Sequence, residues 1–328
     1  MDYHTLFIVC VILMAYLFDF TNGVHDAANT IAIIVTTRVL TPRQAVLWAA
    51  FFNFIAFLFF NLMVAKTIGS GLIDPGIVDT KLVFAALTGA ILWNLATWFF
   101  GMPSSSSHAL IGGLAGAAIA KGGIGSLKLA GFIKIAIGIC IVPMAGLLIG
   151  MVMTYLFTRL FQNTSGTKTN NIFKGLQLLS SAMLSLTHGG NDAQKTMGVI
   201  SVLLVSASWL DDPLHIPLWV VISCHAAIAL GTLMGGWRIV RTLGTKITPL
   251  NALRGCAAET GAAAIIFAAT DFGVPVSTTQ TVTGAITGVG IIKGLNGVYW
   301  PMLRIIFISW LLTIPASGLV AGFIAVII

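Results

Sequence analysis

Two polar motifs stand within long apolar runs of this 328-residue chain. The first runs from Asp19 to Thr30 and the second from Thr187 to Thr196. Their polar residues include Asn22, Asp26 and Asn29, and Asn191, Asp192 and Lys195. A charged group deep in an apolar environment is costly, so each needs a partner or a ligand. One such motif could equally be a hydrogen-bond network between helices, but two motifs that each carry a carboxylate favour a site for cations or protons.

Glycines accompany both motifs, at Gly23, Gly189 and Gly190. Glycine tolerates a backbone that is not helical, and an unwound backbone exposes carbonyls that bind cations and amides that bind anions. The sequence therefore predicts that the helices unwind at the two motifs.

Two hydroxyl-rich clusters follow proline, at Pro103 to His108 and at Pro275 to Gln280. Proline is tolerated in the first turn of a helix, and Ser or Thr caps its free amides. A helix N-terminus attracts anions, and a row of hydroxyls adds neutral donors that suit a tetrahedral oxyanion. A single cluster would be ordinary capping. Two clusters beside the Asp motifs predict an anion site whose hydroxyl residues are Ser104, Ser105, Ser106, Ser107, Ser277, Thr278 and Thr279.

Glu259 is the only glutamate of the chain and lies in an apolar segment. Together with the nearby Arg254 it could form a buried ion pair, a proton site or a cation site. Asn53 and His225 also lie in apolar segments, where a hydrogen bond between helices is a more common role than ligand binding.

The elements that must position these residues are transmembrane helices. The chain is 57% hydrophobic and 8% charged, which indicates an all-α polytopic membrane protein in a lipid bilayer. The composition excludes a disordered chain, a nucleic-acid-binding domain and a disulfide scaffold. The net charge of +7 is expected to reflect basic cytoplasmic loops rather than a polyanion partner. Candidate spans are 5–37, 43–66, 82–100, 128–160, 173–206, 217–236, 248–270 and 299–328, while 103–121 and 275–293 could be re-entrant hairpins or broken spans.

The chain also repeats itself. The hydroxyl cluster that begins after Gly101 recurs 172 residues later after Gly273, and the two Asp motifs are 166 residues apart. The sequence predicts a first repeat at 1–161, a polar linker at 162–172 and a second repeat at 173–328. The distribution of Lys and Arg predicts opposite orientations for the repeats, with about five crossings each. The fifth crossing would come from 103–121 or from a break near Pro143.

In this arrangement the motifs resemble those of the inorganic phosphate transporter (PiT) family, in its compact bacterial branch. The segments Asn22–Asn29 and His188–Asp192 are similar to the family's duplicated Asn-Asp signature, and Pro103–His108 and Pro275–Gln280 are similar to its Pro-Val-Ser-Thr-Thr-His hairpins. The chain departs from the family's pattern in three places. His25 replaces the usual Asn in the first signature. In the second repeat, Lys195 occupies the position that corresponds to Asn29 of the first repeat, and Gln280 the position that corresponds to His108.

The resemblance implies an inverted repeat, a substrate site at the midplane, cation-coupled symport of inorganic phosphate, a homodimer and a multi-pass place in the bacterial cytoplasmic (inner) membrane. We expect phosphate at the hydroxyl clusters with Asn22 and Asn191, and coupling at Asp26, Asn29, Asp192, Lys195 and Glu259. No cofactor is expected.

The coupling ion is left open between H⁺, which Lys195 favours as a fixed cation, and Na⁺. Phosphate could also cross as a complex with a divalent metal. The alternatives are a sulfate permease on the same scaffold, a passive channel, and an intramembrane hydrolase. A hydrolase would need one nucleophile with an asymmetric His and Asp partner set, whereas the motifs here are duplicated.

Overall fold

The computed structural model describes residues 2–212, 214–292 and 294–328. These residues form α-helices joined by turns and short 3₁₀ segments, and no β-strand occurs among them. The predicted all-α class is therefore confirmed. The helices of the first part are α1 (Tyr3–Thr36), α2 (Pro42–Ile55), α3 (Met63–Gly71), α4 (Thr80–Phe100), α5 (Ser106–Gly122) and α6 (Leu129–Leu160). Those of the second part are α7 (Gly166–Ser206), α8 (Leu218–Met234), α9 (Trp237–Thr245), α10 (Ala252–Asp271), α11 (Thr278–Ile291) and α12 (Trp300–Ile327).

Five helices of the described chain are long and apolar enough to cross a membrane, namely α1, α4, α6, α10 and α12. Two helix pairs pass the same test together but are bent, by 82° between α2 and α3 and by 74° between α8 and α9. Counting each bent pair as one span gives seven. The 41-residue α7 is long enough to span but carries the second polar motif. The count of about five crossings in each half stays a prediction.

The expected span 43–66 is not a single helix. It breaks between α2 and α3, where the amides of Val64 and Ala65 donate to Gln194 Oε1 at 3.0 and 3.2 Å. The first amides of a helix have no partner within that helix, so a side chain from α7 that accepts from them fixes where α3 begins. The second bend falls at Gly235, which has a φ of 66° and ends α8.

The hydroxyl clusters do begin helices. Ser105 is the N-cap of α5 and Ser277 is the N-cap of α11. Pro103 and Pro275 lie two residues before these caps rather than in the first turn as expected. With 17 and 14 residues, the two helices are about 26 and 21 Å long, shorter than the roughly 30 Å of a bilayer core. Each packs against the helix that precedes it, so α4–α5 and α10–α11 are helical hairpins.

The predicted unwinding at the Asp motifs is wrong, because α1 and α7 are continuous helices through both. Their glycines instead allow helices to approach each other. A Cβ on Gly23 would clash with the carbonyl of Ile228 on α8, and a Cβ on Gly189 would lie 2.6 Å from the carbonyl oxygen of Asn53 on α2. Small residues at such crossings are typical of packed membrane helices.

The helices of the two halves are interleaved. The last helix of the first half, α6, packs mainly on α11 and α10, while α12 packs mainly on α5 and α4. The first seven residues of α7 lie in the segment 162–172, so most of the expected linker is helical. The division into repeats at 1–161 and 173–328, and their opposite orientation, stay predictions.

Candidate functional site

The two polar motifs lie on neighbouring antiparallel helices, α1 and α7, and face each other. Asp19 on α1 meets Thr196 on α7, and Thr37 just beyond α1 meets Gln177 on α7. On α1 the residues Asp19, Asn22, Asp26 and Asn29 recur every three or four positions, which places them on one face of the helix. The interface between α1 and α7 is therefore a polar seam, which we define as the contact zone from Asp19 and Thr196 to Thr37 and Gln177.

The first turn of α11 lies against the middle of this seam. Asn29 Nδ2 donates to Thr278 Oγ1 at 3.2 Å and to Thr279 Oγ1 at 2.9 Å. Thr279 donates to Asp26 Oδ1, and Thr278 donates to Asp192 Oδ2, both at 3.3 Å. The hydroxyls at the start of α11 thus join the two carboxylates of the motifs.

Lys195 connects the seam to the other hairpin. Its Nζ donates to Asp192 Oδ1 at 2.6 Å, to the carbonyl of Val276 at 2.9 Å, and to Ser107 Oγ in a short hydrogen bond. Ser107 in turn donates to the carbonyl of Val276 at 3.3 Å, so the start of α5 touches the segment that leads into α11. The three N–H groups of the ammonium are all used, and they hold both helix N-termini beside Asp192.

Two histidines complete the cluster. His25 Nδ1 lies 2.7 Å from Asp26 Oδ1, and its Nε2 lies 3.2 Å from the hydroxyl of Ser104. His188 Nε2 lies 3.4 Å from Asp192 Oδ2. The ligand atoms of Asp26, His188 and Asp192 are all within 4.8 Å of one another, which is close enough to hold a metal ion. The sequence expectation did not include His188 as a site residue, although it lies four residues before Asp192 and hence on the same helix face.

Several buried polar atoms around the cluster have no hydrogen-bond partner among the described residues. Buried polar groups are normally paired, so a group of such atoms indicates a place that accepts a ligand. These atoms belong to both motifs and to both hairpins: Asn22 Oδ1, Asn29 Oδ1, Asn191 Oδ1, Ser106 Oγ, His108 Nδ1, Gln280 Nε2 and Gln280 Oε1. The helix starts add further donors, because the amides of the first turns of α5 and α11 have no acceptor within their helices.

The cluster is closed to solvent, since the expected site residues expose 0–3% of their surface. Its formal charges are two carboxylates, Asp26 and Asp192, against the single ammonium of Lys195. The buried cluster therefore contains neutral hydrogen-bond donors together with a net negative formal charge.

The remaining expected residues lie around the cluster. Ser105 and Ser277 are capping residues that accept from the amides of His108 and Gln280. Asn191 Nδ2 donates to Thr270 of α10 at 2.8 Å. Asn53 donates to Thr232 and lies 3.2 Å from His188 Nδ1, which is the inter-helix role expected of it. His225 Nδ1 bonds instead to the carbonyl of Val221 in its own helix.

Glu259 is not part of this cluster. Its carboxylate accepts from Ser180 Oγ at 2.6 Å and from Gln177 Nε2 at 3.3 Å, at the far end of the polar seam. Ser180 is eight residues before His188, or about 12 Å along α7. Among the described residues no ion pair joins Glu259 to Arg254, whose guanidinium donates to the carbonyl of Pro249.

Known proteins are similar to this chain over nearly its whole length. The family model described as "Phosphate transporter family" matches residues 22–321. A protein of Rhizobium meliloti (strain 1021) named "Probable low-affinity inorganic phosphate transporter" is 54% identical over 315 residues, which cover 96% of this chain and 94% of that protein. A Bacillus subtilis (strain 168) protein of the same name is 41% identical over 329 residues, 99% of this chain and 98% of that protein.

A solved structure titled "The sodium-dependent phosphate transporter" is also similar. It superposes with a TM-score of 0.90 at 26% sequence identity and covers 98% of both chains. The fold and the buried site define a polytopic membrane transporter. The chain belongs to the phosphate transporter family, and it is not an enzyme.

Proposed function

We propose that this protein is a secondary active transporter that carries inorganic phosphate across the bacterial cytoplasmic membrane by symport with protons. Phosphate binds between the first turns of α5 and α11. One observation carries the proposal: Lys195 joins Ser107 of one hairpin, Val276 of the other and Asp192 of the motif at a single point.

The donors around that point suit a tetrahedral anion. Two helix N-termini offer amides and partial positive charge, and half-helices that point at a buried anionic substrate are a recurring feature of transporters. Ser104, Ser106, Ser107, Thr278 and Thr279 supply hydroxyls, and Asn22 and Asn191 supply amide groups at the edge. The free Ser106 Oγ and the unpaired polar atoms of Gln280 are further candidate contacts.

The charge of the site explains why transport must be coupled. With Asp26 and Asp192 ionised and only Lys195 opposing them, a phosphate dianion would enter a net negative volume. Like charges in a buried site repel strongly, so the anion is admitted together with protons or with a metal cation.

The same carboxylates favour phosphate over sulfate. Near neutral pH phosphate still has an O–H that can donate to Asp26 or Asp192, whereas sulfate has none. A buried acceptor that is left without its donor rejects the analogue. Excess sulfate is therefore expected not to compete with phosphate uptake, and equal competition would favour the sulfate permease instead.

Lys195 favours H⁺ over Na⁺ as the coupling ion. Its ammonium contacts Asp192 and the Ser107 hydroxyl, where a monovalent cation would otherwise find its ligands. A permanent cation at that point removes the need for a bound Na⁺. The similar solved structure is described as a sodium-dependent phosphate transporter, so the coupling ion of this chain needs a direct test.

A divalent metal is a second form in which phosphate could travel. Asp26, His188 and Asp192 combine two carboxylates and an imidazole, a ligand set that suits Zn²⁺ or Mn²⁺. A metal bound there would offset the two negative charges of the phosphate dianion, and the cargo would be a neutral metal–phosphate complex.

Glu259 is proposed as a further coupling group on the same pathway. It lies on the polar seam with Ser180, Gln177 and Thr37, a set of oxygen and hydroxyl groups through which a proton or cation can leave the central cluster. The two repeats would rock against each other about the central site, and the protein would form a homodimer.

The test is uptake of radiolabelled phosphate into proteoliposomes that contain the purified protein, with Na⁺, pH gradient and Mg²⁺ varied independently. Accumulation driven by an inwardly directed proton gradient without Na⁺ supports the proposal. Dependence on Na⁺ but not on the pH gradient refutes proton coupling. Movement of phosphate that never exceeds its own gradient under any condition would indicate a channel.

A further inference from the structure

Asp19 is a buried carboxyl outside the phosphate cluster. It is fully buried on α1, and its Oδ1 accepts a hydrogen bond from Thr196 Oγ1 at 2.6 Å. Its second oxygen, Oδ2, has no hydrogen-bond partner among the described residues. Among the described residues, Thr196 is the only hydroxyl that donates to this carboxyl, and the thiol of Cys224 adds a weak donor.

The groups around Asp19 do not neutralise it. Cys224 of α8 and Tyr16 of α1 border it, and the charges that reach it from α7 are those of Asp192 and Lys195. Lys195 directs its three N–H groups to Asp192, Ser107 and Val276. No ammonium hydrogen is left for Asp19, so among the described residues this carboxyl has no direct ion pair with a basic group.

An ionised carboxylate removed from water needs a cation or several donors, and without them it takes up a proton instead. In this conformation, in which the central site is closed, Asp19 has neither a cation nor several donors in contact with it among the described residues. We propose that Asp19 binds the symported proton, and that the central site closes only when this carboxyl is protonated. This inference rests on the proposed proton coupling and assigns the residue that performs it.

The position of Asp19 suits that role. It lies seven residues before Asp26 on the same face of α1, about 10 Å along the helix, so proton and phosphate bind at separate points of one seam. Thr196, its hydrogen-bond donor, directly follows Lys195 in α7. The state of the carboxyl is thereby linked through one peptide unit to the lysine that joins both hairpins.

The second motif has no equivalent group, since Ser185 takes the matching position on α7. The proposal therefore predicts one such proton site in each chain. The carboxylate takes up a proton while the site is open to one side of the membrane. The protein passes through the closed conformation with this carboxyl neutral. The proton is released when the site opens to the other side.

The experiment compares two activities of Asp19→Asn in proteoliposomes: accumulation driven by a pH gradient, and exchange of internal for external phosphate at equal pH. Asparagine mimics the neutral carboxyl and cannot release a proton. With one proton per phosphate, about one pH unit supports about tenfold accumulation in the wild type, because one pH unit is a factor of ten in equilibrium. Asp19→Asn should lose that accumulation, while exchange continues and no longer varies with pH.

Two further variants complete the test. Asp19→Glu retains a carboxyl and should retain accumulation. Asp211 is an exposed residue in a loop, and Asp211→Asn removes the same charge there, so it should leave both accumulation and exchange unchanged. If wild-type accumulation does not respond to the pH gradient, proton coupling itself fails. If the wild type responds and Asp19→Asn responds equally, only the assignment of Asp19 fails. Loss of exchange as well as accumulation in a correctly folded Asp19→Asn protein would also overturn it.

Discussion

Asn29 and Lys195 contact the first turns of opposite hairpins. Asn29 on α1 donates to Thr279 at the start of α11, and Lys195 on α7 donates to Ser107 at the start of α5. Ser107 and Thr279 are 172 residues apart, the spacing of the two hydroxyl clusters. Two equivalent contacts are thus made by a neutral amide on one side and by an ammonium on the other, and this difference determines the charge of the site.

Replacing that ammonium should change the ion requirement. We expect Lys195→Asn to reduce phosphate uptake in Na⁺-free medium and to make the remaining uptake respond to Na⁺, because the site then lacks a fixed cation beside Asp192. Uptake measured across a Na⁺ titration checks this. Lys168→Asn, an exposed residue near the start of α7, is the matched control. Full uptake by Lys195→Asn without any response to Na⁺ would contradict the role given to the lysine.

Removing single hydroxyls at the hairpins should weaken phosphate binding. Ser107→Ala and Thr279→Val each remove one neutral donor, a loss of about 1 kcal/mol or about fivefold in KM. The measurement is the phosphate dependence of initial uptake rates. Thr245→Ala is a suitable control, since this hydroxyl is exposed and bonds to the carbonyl of Arg241. An unchanged KM in both hairpin variants would place phosphate elsewhere.

Metal transport should depend on His188. His188→Gln removes the imidazole from the set formed with Asp26 and Asp192, so phosphate-dependent uptake of radiolabelled Zn²⁺ should fall by more than phosphate uptake in metal-free medium. His225→Gln provides the comparison, because this histidine bonds within its own helix. Equal losses of both activities in His188→Gln would show that the histidine supports the fold rather than the metal.

Packing of the helices should depend on Gly189. A Cβ there lies 2.6 Å from the backbone oxygen of Asn53, so Gly189→Ala is expected to destabilise the protein by about 1–3 kcal/mol through overpacking. Gly175 in the same helix has nothing within 4 Å of an added Cβ, and Gly175→Ala should raise stability slightly because alanine favours helix. Thermal unfolding of the two variants in detergent distinguishes them, and equal melting temperatures would exclude the close contact.

Part of this site was predictable from the sequence because its signals are local. Pro103 and Pro275 followed by hydroxyls indicate helix starts, and a carboxylate within an apolar run indicates a buried polar contact wherever the helix lies. Residue type alone predicts a Ser or Thr cap within each cluster, and the structure places the caps at Ser105 and Ser277.

Other features depend on partners distant in the chain. Gly23 and Gly189 permit both an unwound backbone and a close helix crossing, and only the position of α8 and α2 decides between them. The separation of Glu259 from the cluster depends on the register between α7 and α10. Likewise, the start of α3 is set by Gln194, which is 130 residues away from Val64. None of these relationships has a short-range signal.

The exchange of α6 and α12 between the halves bears on how the protein is made. When α6 leaves the ribosome, the surfaces of α10 and α11 against which it packs have not yet been synthesised, so an apolar 32-residue helix must wait in the lipid. The hairpin α4–α5 lacks its packing partner for longer, since α12, which packs against it, is the last helix to be synthesised. Assembly of the transport site is thus a late event of biogenesis, and the first half has no complete native packing of its own until the final helix inserts.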